Sequence, residues 1–415
     1  MSDDKGVTPM HFNVKALPIA ISIALAPAAF ADEATDAKIA QLEQQVQVLQ
    51  AQQTKSLTEK FNFNGFISGG YITSDNDAGY NNATTSADFS QDTKLGFQGT
   101  FNMSNQTQAV LQLMMKGEHD WEVEAEWAYL SHRFDNGVKL RGGKLRVPLF
   151  MYSDYLDVGY AQPFARPPSE VYGTIPFSSY TGAGISYDVE FDDSTLTLQG
   201  FGGESDVRDS AVEISNLMGA NVSWTDEVWT LRGVYAQAKL DGPITTTVNV
   251  PLAPGVETSA EFTVLDLNDE TGSFIGLGAS YDNGSFLAVT EWTRSEIDNA
   301  YPDTDSGYLT LGYRIAEFTP YVTVAYLKTQ DNDERLPVSQ PDVIRMIAFN
   351  AERMAYSAGL RWDVIDNVAI KFDVTYADEF GDTSGGLDGN TLDNTTGKFV
   401  YDDTVIYTVK FDAVF

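Results

Sequence analysis

The sequence has no cysteine, three histidines and few basic residues for its 415 positions. The missing cysteines exclude disulfide bonds, which a protein in an oxidising compartment can also do without. The 59 acidic residues outnumber the 26 basic ones, giving a formal net charge of -33. Nucleic-acid binding is excluded, because it requires basic surfaces that displace phosphate counterions. The acidic excess is typical of solvated loops in salty water.

Long apolar runs are also missing. After the N-terminal region no stretch of about 18 apolar residues occurs, which excludes membrane-spanning helices. The 34 Gly, 24 Phe and 20 Tyr, with a mean hydropathy of -0.21, still fit a transmembrane β-barrel. Barrel strands alternate between outward apolar and inward polar residues, so they are not hydrophobic on average. A soluble protein of this length would have two or three domains.

The N-terminus has the pattern of a secretory signal peptide. Lys15 precedes the apolar stretch 16–28, and the small-x-small site Ala29-Phe30-Ala31 follows it. We predict that residues 1–31 are removed and that the mature chain begins at Asp32. Met10 is an alternative start of translation.

Residues 32–60 are predicted to form a short periplasmic coiled coil. Ile39, Leu42, Val46 and Leu49 have the spacing of a coiled-coil seam. About two apolar heptads are too few to stabilise isolated helices, so the chains must already be held together elsewhere. A disordered linker is the alternative interpretation.

From Phe61 onward the apolar period changes to two, which predicts β-strands. Val368, Ile370, Phe372 and Val374, for example, alternate with polar residues. The predicted strands start near residues 61, 90, 107, 121, 138, 180, 194, 213, 228, 273, 285, 305, 319, 352, 368 and 402.

The connections between these strands alternate between short and long. Every second connection is a tight turn, two of them with the hairpin dipeptide Asn-Gly (Asn136-Gly137 and Asn283-Gly284). Most of the others are longer, around 75–88, 147–179, 204–212, 241–272, 297–304, 331–351 and 381–400. A membrane barrel requires this alternation of short and long connections, with short turns on the periplasmic side and long loops outside. A Greek-key sandwich does not require it. We therefore predict an all-β fold, a 16-stranded antiparallel transmembrane β-barrel over residues 61–415, with the short N-terminal coiled-coil helix.

The fifth predicted strand carries the basic residues Lys139, Arg141, Lys144 and Arg146. Plain alternation would leave two of them in lipid, at a cost of roughly 2 to 4 kcal/mol each. An extra, bulged residue at Gly142-Gly143 would turn all four towards the lumen. That arrangement predicts an outward face of Val138, Leu140, Leu145 and Val147.

The fourth predicted strand carries three acidic residues, Glu122, Glu124 and Glu126, which by the same argument face the lumen. They alternate with Val123, Ala125, Trp127 and Tyr129, which are predicted to face outward. Because this strand runs downward, we expect the glutamates near the external mouth, above Lys139 and Arg141.

The connection after the fifth strand exceeds 30 residues, a length that normally indicates function. With the strand layout and the C-terminal Phe415, it resembles the trimeric porins of bacterial outer membranes, whose third loop narrows the pore. The N-terminal coiled coil is similar to that of the DcaP-like porins, which select dicarboxylates. The resemblance implies a homotrimer in outer-membrane lipid and lipopolysaccharide, with Phe415 recognised by the barrel assembly machinery.

The resemblance also implies an electric field across the constriction. The loop carboxylates Asp154, Asp157 and Glu170 would face Arg141, Lys144 and Arg146, with Arg166 on the loop itself. Solvated or structural ion pairs are the alternative for each loop charge. We expect passive diffusion of small hydrophilic solutes, favouring small anions such as carboxylates.

Other functions are less well supported by the sequence. Ser131 and His132 are adjacent on a strand and point to opposite faces, so they cannot form a nucleophile and base pair. The acidic runs at 75–77, 331–334 and 378–379 lack calcium-loop spacing. No catalytic, metal or cofactor residue is predicted. A surface receptor or adhesin barrel plugged by its loops remains the second hypothesis.

Overall fold

The computed structural model describes residues 60–253, 256–298, 301–332, 349–393 and 395–415. The predicted signal peptide (residues 1–31) and all but the last residue of the predicted coiled-coil segment (32–60) lie outside these ranges. Within them, sixteen antiparallel strands form one closed barrel. The strands are β1 Phe61–Ser74, β2 Lys94–Asn102, β3 Thr107–Lys116, β4 Val123–Arg133, β5 Lys139–Arg146, β6 Ser179–Glu190, β7 Ser194–Asp206, β8 Glu213–Asp226, β9 Trp229–Ala253, β10 Val256–Asp282, β11 Phe286–Ile297, β12 Thr304–Tyr313, β13 Phe318–Thr329, β14 Glu352–Ile365, β15 Val368–Asp378 and β16 Thr404–Val414.

The predicted 16-stranded barrel is confirmed, and fifteen of the strand starts lie within four residues of the predicted ones. The start of β10 was predicted at residue 273 and is wrong, because β10 begins at Val256. β9 and β10 pair almost to their tips, so the predicted loop 241–272 is a long hairpin that extends the barrel wall. Gly242-Pro243 is a typical loop signal, but the β-branched residues 244–248 that follow favour a strand.

Helical structure in the described ranges is confined to short segments. One α-helical turn, α1 Ser169–Tyr172, lies in the β5–β6 connection, with 3₁₀ turns at Ser153–Tyr155 and Gly159–Ala161. Two more 3₁₀ turns, Tyr80–Asn82 and Gly117–His119, lie in other connections. No helix in the described part of the chain is long and apolar enough to span a membrane.

The two faces of the strands differ in the way a membrane barrel requires. On β16, the inward-facing Lys410 and Asp412 are buried, whereas Tyr407, Val409 and Phe411 remain exposed on the outer face. Aromatic pairs gather near the short turns: Trp229 with Tyr281, Phe318 with Trp362, and Phe61 with Phe101. An apolar outer band bordered by aromatic side chains is the surface that a lipid bilayer covers.

The short turns have the predicted chemistry. In both Asn-Gly turns the glycine has a positive φ, 88° at Gly137 and 85° at Gly284. Such a backbone is favourable for glycine because it has no Cβ. The side chain of Asp282 also accepts two hydrogen bonds from Arg314, at 2.5 and 2.7 Å, and ties two neighbouring turns together.

The last residue closes the barrel. The Phe415 N–H donates to the Gly65 carbonyl (2.9 Å), and the Gly65 N–H donates to the Phe415 carbonyl (2.8 Å). The Phe415 ring lies edge-on to Phe97 at 5.9 Å and covers Gly65, where a Cβ would come within 2.4 Å of it. Phe415 therefore belongs to the seam between β1 and β16.

Deleting Phe415 is expected to lower the amount of assembled barrel several-fold, because the seam loses two backbone hydrogen bonds and its covering ring. The conductance of the barrels that do assemble should be unchanged. Heat-modifiable gel mobility of outer-membrane fractions measures assembly. Phe63→Ala is the control, since Phe63 is an exposed outward ring on β1 outside the β1–β16 pairing. Normal levels of the truncated protein would contradict the expectation.

Candidate functional site

The connection between β5 and β6, residues 147–178 and called L3 below, folds into the lumen. Its backbone carbonyls accept hydrogen bonds from basic side chains of the opposite wall. Arg361 donates to Tyr160 and Gln162, at 2.7 and 2.9 Å, and Lys371 donates to Gly159 at 2.7 Å. Lys410 likewise donates to the Ala165 carbonyl at 3.0 Å. L3 is therefore fixed against β14, β15 and β16.

On the near wall L3 is held by a buried carboxylate. Asp157 lies 2.9 Å from Lys94, 3.3 Å from Lys116 and 2.9 Å from Arg146, on β2, β3 and β5. Arg146 also donates to Glu126 at 2.5 Å. Burial alone would raise the pKa of Asp157, but Lys116, Lys94 and Arg146 outweigh it and hold the pKa well below its usual range. Asp157 therefore stays ionised among these cations.

Two further ion pairs join L3 to the rest of the barrel. Glu170, fully buried, accepts from Arg353 on β14 at 2.7 Å and from Tyr80 at 3.2 Å. Arg166 makes a two-pronged contact with Asp92 in the β1–β2 connection. L3 is thus attached on several sides of the lumen.

A carboxylate of the wall also holds L3. Glu291 on β11 accepts from the Met151 backbone N–H at 2.8 Å, and from the hydroxyls of Tyr308 (2.9 Å) and Tyr172. Three donors satisfy this buried side chain, and no cation of the described residues lies at hydrogen-bond distance from it. L3 therefore has one position determined by both charged and neutral contacts.

The predicted bulge at Gly142-Gly143 is wrong. The registers of β5 with β4 and β6 continue through both glycines without a shift. The bulge lies on β4 instead, where Glu126 is skipped between the pairs of Ala125 and Trp127. Because that extra residue changes the phase of β4, Tyr129 packs against the inner apolar cluster rather than facing outward.

Gly143 on β5 has a φ of 132°, a backbone that L side chains rarely adopt. Gly143, Gly182 and Gly203 are paired directly across β5, β6 and β7, and a Cβ on any of them would come within 2.3 Å of a backbone oxygen. Beyond this glycine row Lys144 and Arg146 border the lumenal cavity. Leu145 and Val147, predicted to face outward, are instead buried in the inner cluster with L3, because without a bulge they keep the phase of Arg141.

Several wall cations are left without a carboxylate. Lys139, Arg141 and Lys144 form no ion pair with any residue in the described ranges, in contrast to Arg146. Arg232 of β9 likewise forms no ion pair in these ranges, and its guanidinium donates to the Pro148 carbonyl of L3 at 2.5 Å. The wall beside L3 therefore carries several cations that no carboxylate of the described ranges neutralises.

The three predicted glutamates do not act as one group. Glu124 contacts His119 (3.1 Å) and Arg208, while the exposed Glu122 lies 3.7 Å from Arg208. Of the three, Glu126 is the one that contacts L3 in the described ranges: it accepts from the Ser178 hydroxyl at 2.6 Å and shares Arg146 with Asp157. Glu122 and Glu124 lie next to the β3–β4 connection.

A cavity of about 1060 Å³ occupies the lumen between L3 and the upper parts of β3–β8. We call it the vestibule, because it lies at the end of the barrel with the long connections, which is the outer end of a porin-like barrel. Seven carboxylates and four basic side chains line it: Glu118, Glu124, Glu126, Glu204, Asp206, Asp209 and Glu213, with Lys116, Lys144, Arg146 and Arg208. The vestibule is therefore acidic, in contrast to the wall that carries Lys139, Arg141 and Arg232.

Sequence reasoning missed Lys94, Lys116, Arg232, Glu291 and Arg353. Each is a charged residue inside a strand, and lipid forces such a side chain inward, so the signal for a lumenal position was present. The sequence could not show which residue each of these side chains contacts. Arg353 and Glu170, for example, lie 183 residues apart.

The described residues offer little support for enzymatic or metal chemistry. Ser131 is buried at an inward position, whereas the ring of His132 bonds to Thr107 (2.8 Å) and lies 4.6 Å from Phe134. The two therefore diverge as predicted. Within the described ranges no group of three or more His, Asp or Glu residues is arranged to hold a metal ion.

No protein-family model and no curated protein matches the sequence. Solved structures do match. Salmonella typhi OmpF in complex with daunomycin gives a TM-score of 0.56 at 12% identity, over 86% of this chain and 97% of that one. The trimer form of OmpT, an outer membrane protein of Vibrio cholerae, gives 0.55 at 12% identity, over 86% and 99%. An anion-selective porin from Comamonas acidovorans gives 0.52 at 13% identity, over 86% and 99%.

The fold is that of a porin. The closed barrel of sixteen antiparallel strands is a porin-like barrel of the bacterial outer-membrane type. The DcaP-like subgroup and the coiled coil stay predictions.

Proposed function

We propose that this chain is an outer-membrane channel through which small hydrophilic solutes diffuse passively. The observation that carries the proposal is the position of L3, which is fixed inside the lumen beside wall cations that form no ion pair in the described ranges. Fixed charges on opposite sides of a narrow passage orient and select solutes by size and charge.

We infer that the passage favours small anions such as carboxylates. Lys139, Arg141, Lys144 and Arg232 lack ion pairs in the described part of the chain, and Asp154 is an exposed acid on L3. In a partly desolvated passage each fixed charge acts at a low effective dielectric. The acidic vestibule above does not reverse this preference, because most of its carboxylates are exposed and salt screens their attraction beyond about 8 Å.

Replacing Arg141 and Arg232 with alanine is expected to shift the reversal potential in a salt gradient towards cations, because the passage loses two unpaired cations. The control is Lys398→Ala, which removes an exposed cation from the β15–β16 connection. Bilayer recordings of both variants measure the shift. If the control shifts the potential as strongly as the double variant does, the wall cations are not the filter.

We further propose that the mature chain begins at Asp32 and forms a homotrimer. The outer-membrane context and the trimer of a barrel with this fold support the assembly. We expect N-terminal sequencing of outer membranes to start at Asp32, and native mass spectrometry in mild detergent to give three chains. A monomer under those conditions would contradict the trimer.

A receptor or adhesin barrel closed by its loops is the second candidate. The attachment of L3 to β14–β16 as well as to β2, β3 and β5 favours it, because such a loop reaches across the lumen. Single-channel recording separates the two candidates. A steady open current supports the channel, and its absence in well-assembled protein supports the closed barrel.

A further inference from the structure

A second cavity, of about 250 Å³ and largely apolar, lies in the lumen between L3 and β8–β11. We call it the apolar cavity. Its lining includes Ile175, Pro176 and Phe177 of L3, with Ile214 on β8 and Ala238 on β9. The inner wall of a porin is normally polar. Passage of hydrophilic solutes therefore does not explain an apolar cavity at this position.

The apolar cavity adjoins the vestibule. Leu149, Ile175, Pro176, Phe177 and Ile214 line both. A ligand can therefore place an apolar body in one cavity and a polar head group in the other. Apolar walls with a few polar groups at one side are typical of small-molecule binding sites.

The charges around this junction determine the sign of the head group. Four vestibule carboxylates, Glu204, Asp206, Asp209 and Glu213, form no ion pair with any residue in the described ranges. Among the basic residues of the vestibule only Lys144 is similarly unpaired there. A further carboxylate, Glu296, borders the apolar cavity itself and has only a long ion pair, 3.9 Å from Arg294, in the described ranges. The electrostatic environment therefore attracts a cation and repels an anion.

We propose that the apolar cavity and the adjoining vestibule form a binding site for small organic cations with an apolar body, such as arylalkylammonium compounds. The ring or chain lies against Ile214, Phe177 and Ala238, and the ammonium group lies among the unpaired carboxylates. This ligand differs from the anions proposed to cross the basic passage, so the site is an addition to the channel function.

Isothermal titration calorimetry of the purified full-length mature protein in detergent tests the proposal. Phenethylammonium is the probe, ethylammonium lacks its apolar body, and phenylacetate carries the opposite charge. We expect phenethylammonium to bind about tenfold more tightly than either, because only it satisfies both cavities. Binding in calorimetry requires no open pore, so this result is independent of the proposed channel function.

Variants locate the site. Ala238→Phe fills the apolar cavity and is expected to abolish binding, whereas Ala220→Phe adds the same ring to the outer face of β8 and should leave binding unchanged. Glu213→Gln with Glu296→Gln should weaken phenethylammonium binding about fivefold by removing two carboxylates. If Ala238→Phe does not assemble, Ala238→Leu replaces it with the same expectation.

Three outcomes would overturn the proposal. Equal binding of phenylacetate would show that the carboxylates do not select the ligand. Equal binding of ethylammonium would show that the apolar cavity does not contribute. Unchanged binding in an assembled Ala238 variant would place the ligand elsewhere on the protein.

Discussion

Gly143→Ala is expected to remove most of the assembled barrel from the membrane. Its φ of 132° is a backbone that L side chains rarely adopt, and a Cβ there would come within 2.3 Å of the Ala128 carbonyl oxygen. The directly paired Gly182 and Gly203 leave no room for the strands to move apart without breaking the ladder. The cost is about 3 kcal/mol or more. Outer-membrane levels and heat-modifiable mobility measure the loss.

Gly142→Ala is the matched control. Gly142 is the preceding residue on the same strand, its φ is not positive, and a Cβ there would meet nothing within 4 Å. We expect this variant to assemble normally. Equal assembly of the two variants would show that the backbone at Gly143 does not constrain the wall.

Asp157→Asn is expected to release L3 from the near wall, which raises single-channel conductance and current noise and lowers the unfolding temperature. The substitution leaves Lys94, Lys116 and Arg146 clustered without the carboxylate that contacts all three. Removing one partner from a buried ion-pair network costs about 3 to 5 kcal/mol. Planar-bilayer recordings and thermal scans measure the two effects.

Asp154→Asn is the control for this variant, because Asp154 lies on the same loop, is exposed and forms no ion pair in the described part of the chain. It should change ion preference without increasing the current noise.

Acidification provides a second control. A carboxyl group whose pKa is lowered by folding stabilises the folded state at pH values above its unfolded pKa of 3.8. This stabilisation is lost only as the pH falls through the folded-state pKa. Wild-type conductance should therefore be unchanged at about pH 5. A wild-type protein that behaves like Asp157→Asn at that pH would contradict the ionised state of Asp157.

The barrel itself followed from local sequence patterns. Alternation with period two, Asn-Gly turns and the phase of short and long connections each depend on neighbouring residues, so the number and order of strands could be predicted. The same reasoning failed for β10, where the loop signal Gly242-Pro243 competed with β-branched residues and cross-strand pairing decided the outcome.

The candidate site was predicted in its residue types but less well in its pairings. Asp157 contacts Arg146, Lys94 and Lys116 in a buried network, which is the structural ion pair given as the alternative for the loop charges. Glu170 was expected opposite the cations of β5 and instead contacts Arg353 on β14. Both carboxylates lie on L3, whose course through the lumen is determined by contacts with many strands at once.

The sequence by itself determined that charged residues of the strands face inward, because lipid cannot solvate them and a strand offers only two faces. Only the tertiary structure decided which of those charges remain free. Arg146 is neutralised by Glu126 and Asp157, while Arg141, equally basic and on the same strand, has no carboxylate partner in the described ranges. The difference arises because L3 places Asp157 beside Arg146. An ion pair forms only when two charges lie within a few ångströms of each other, and the packing of L3 fixes that distance.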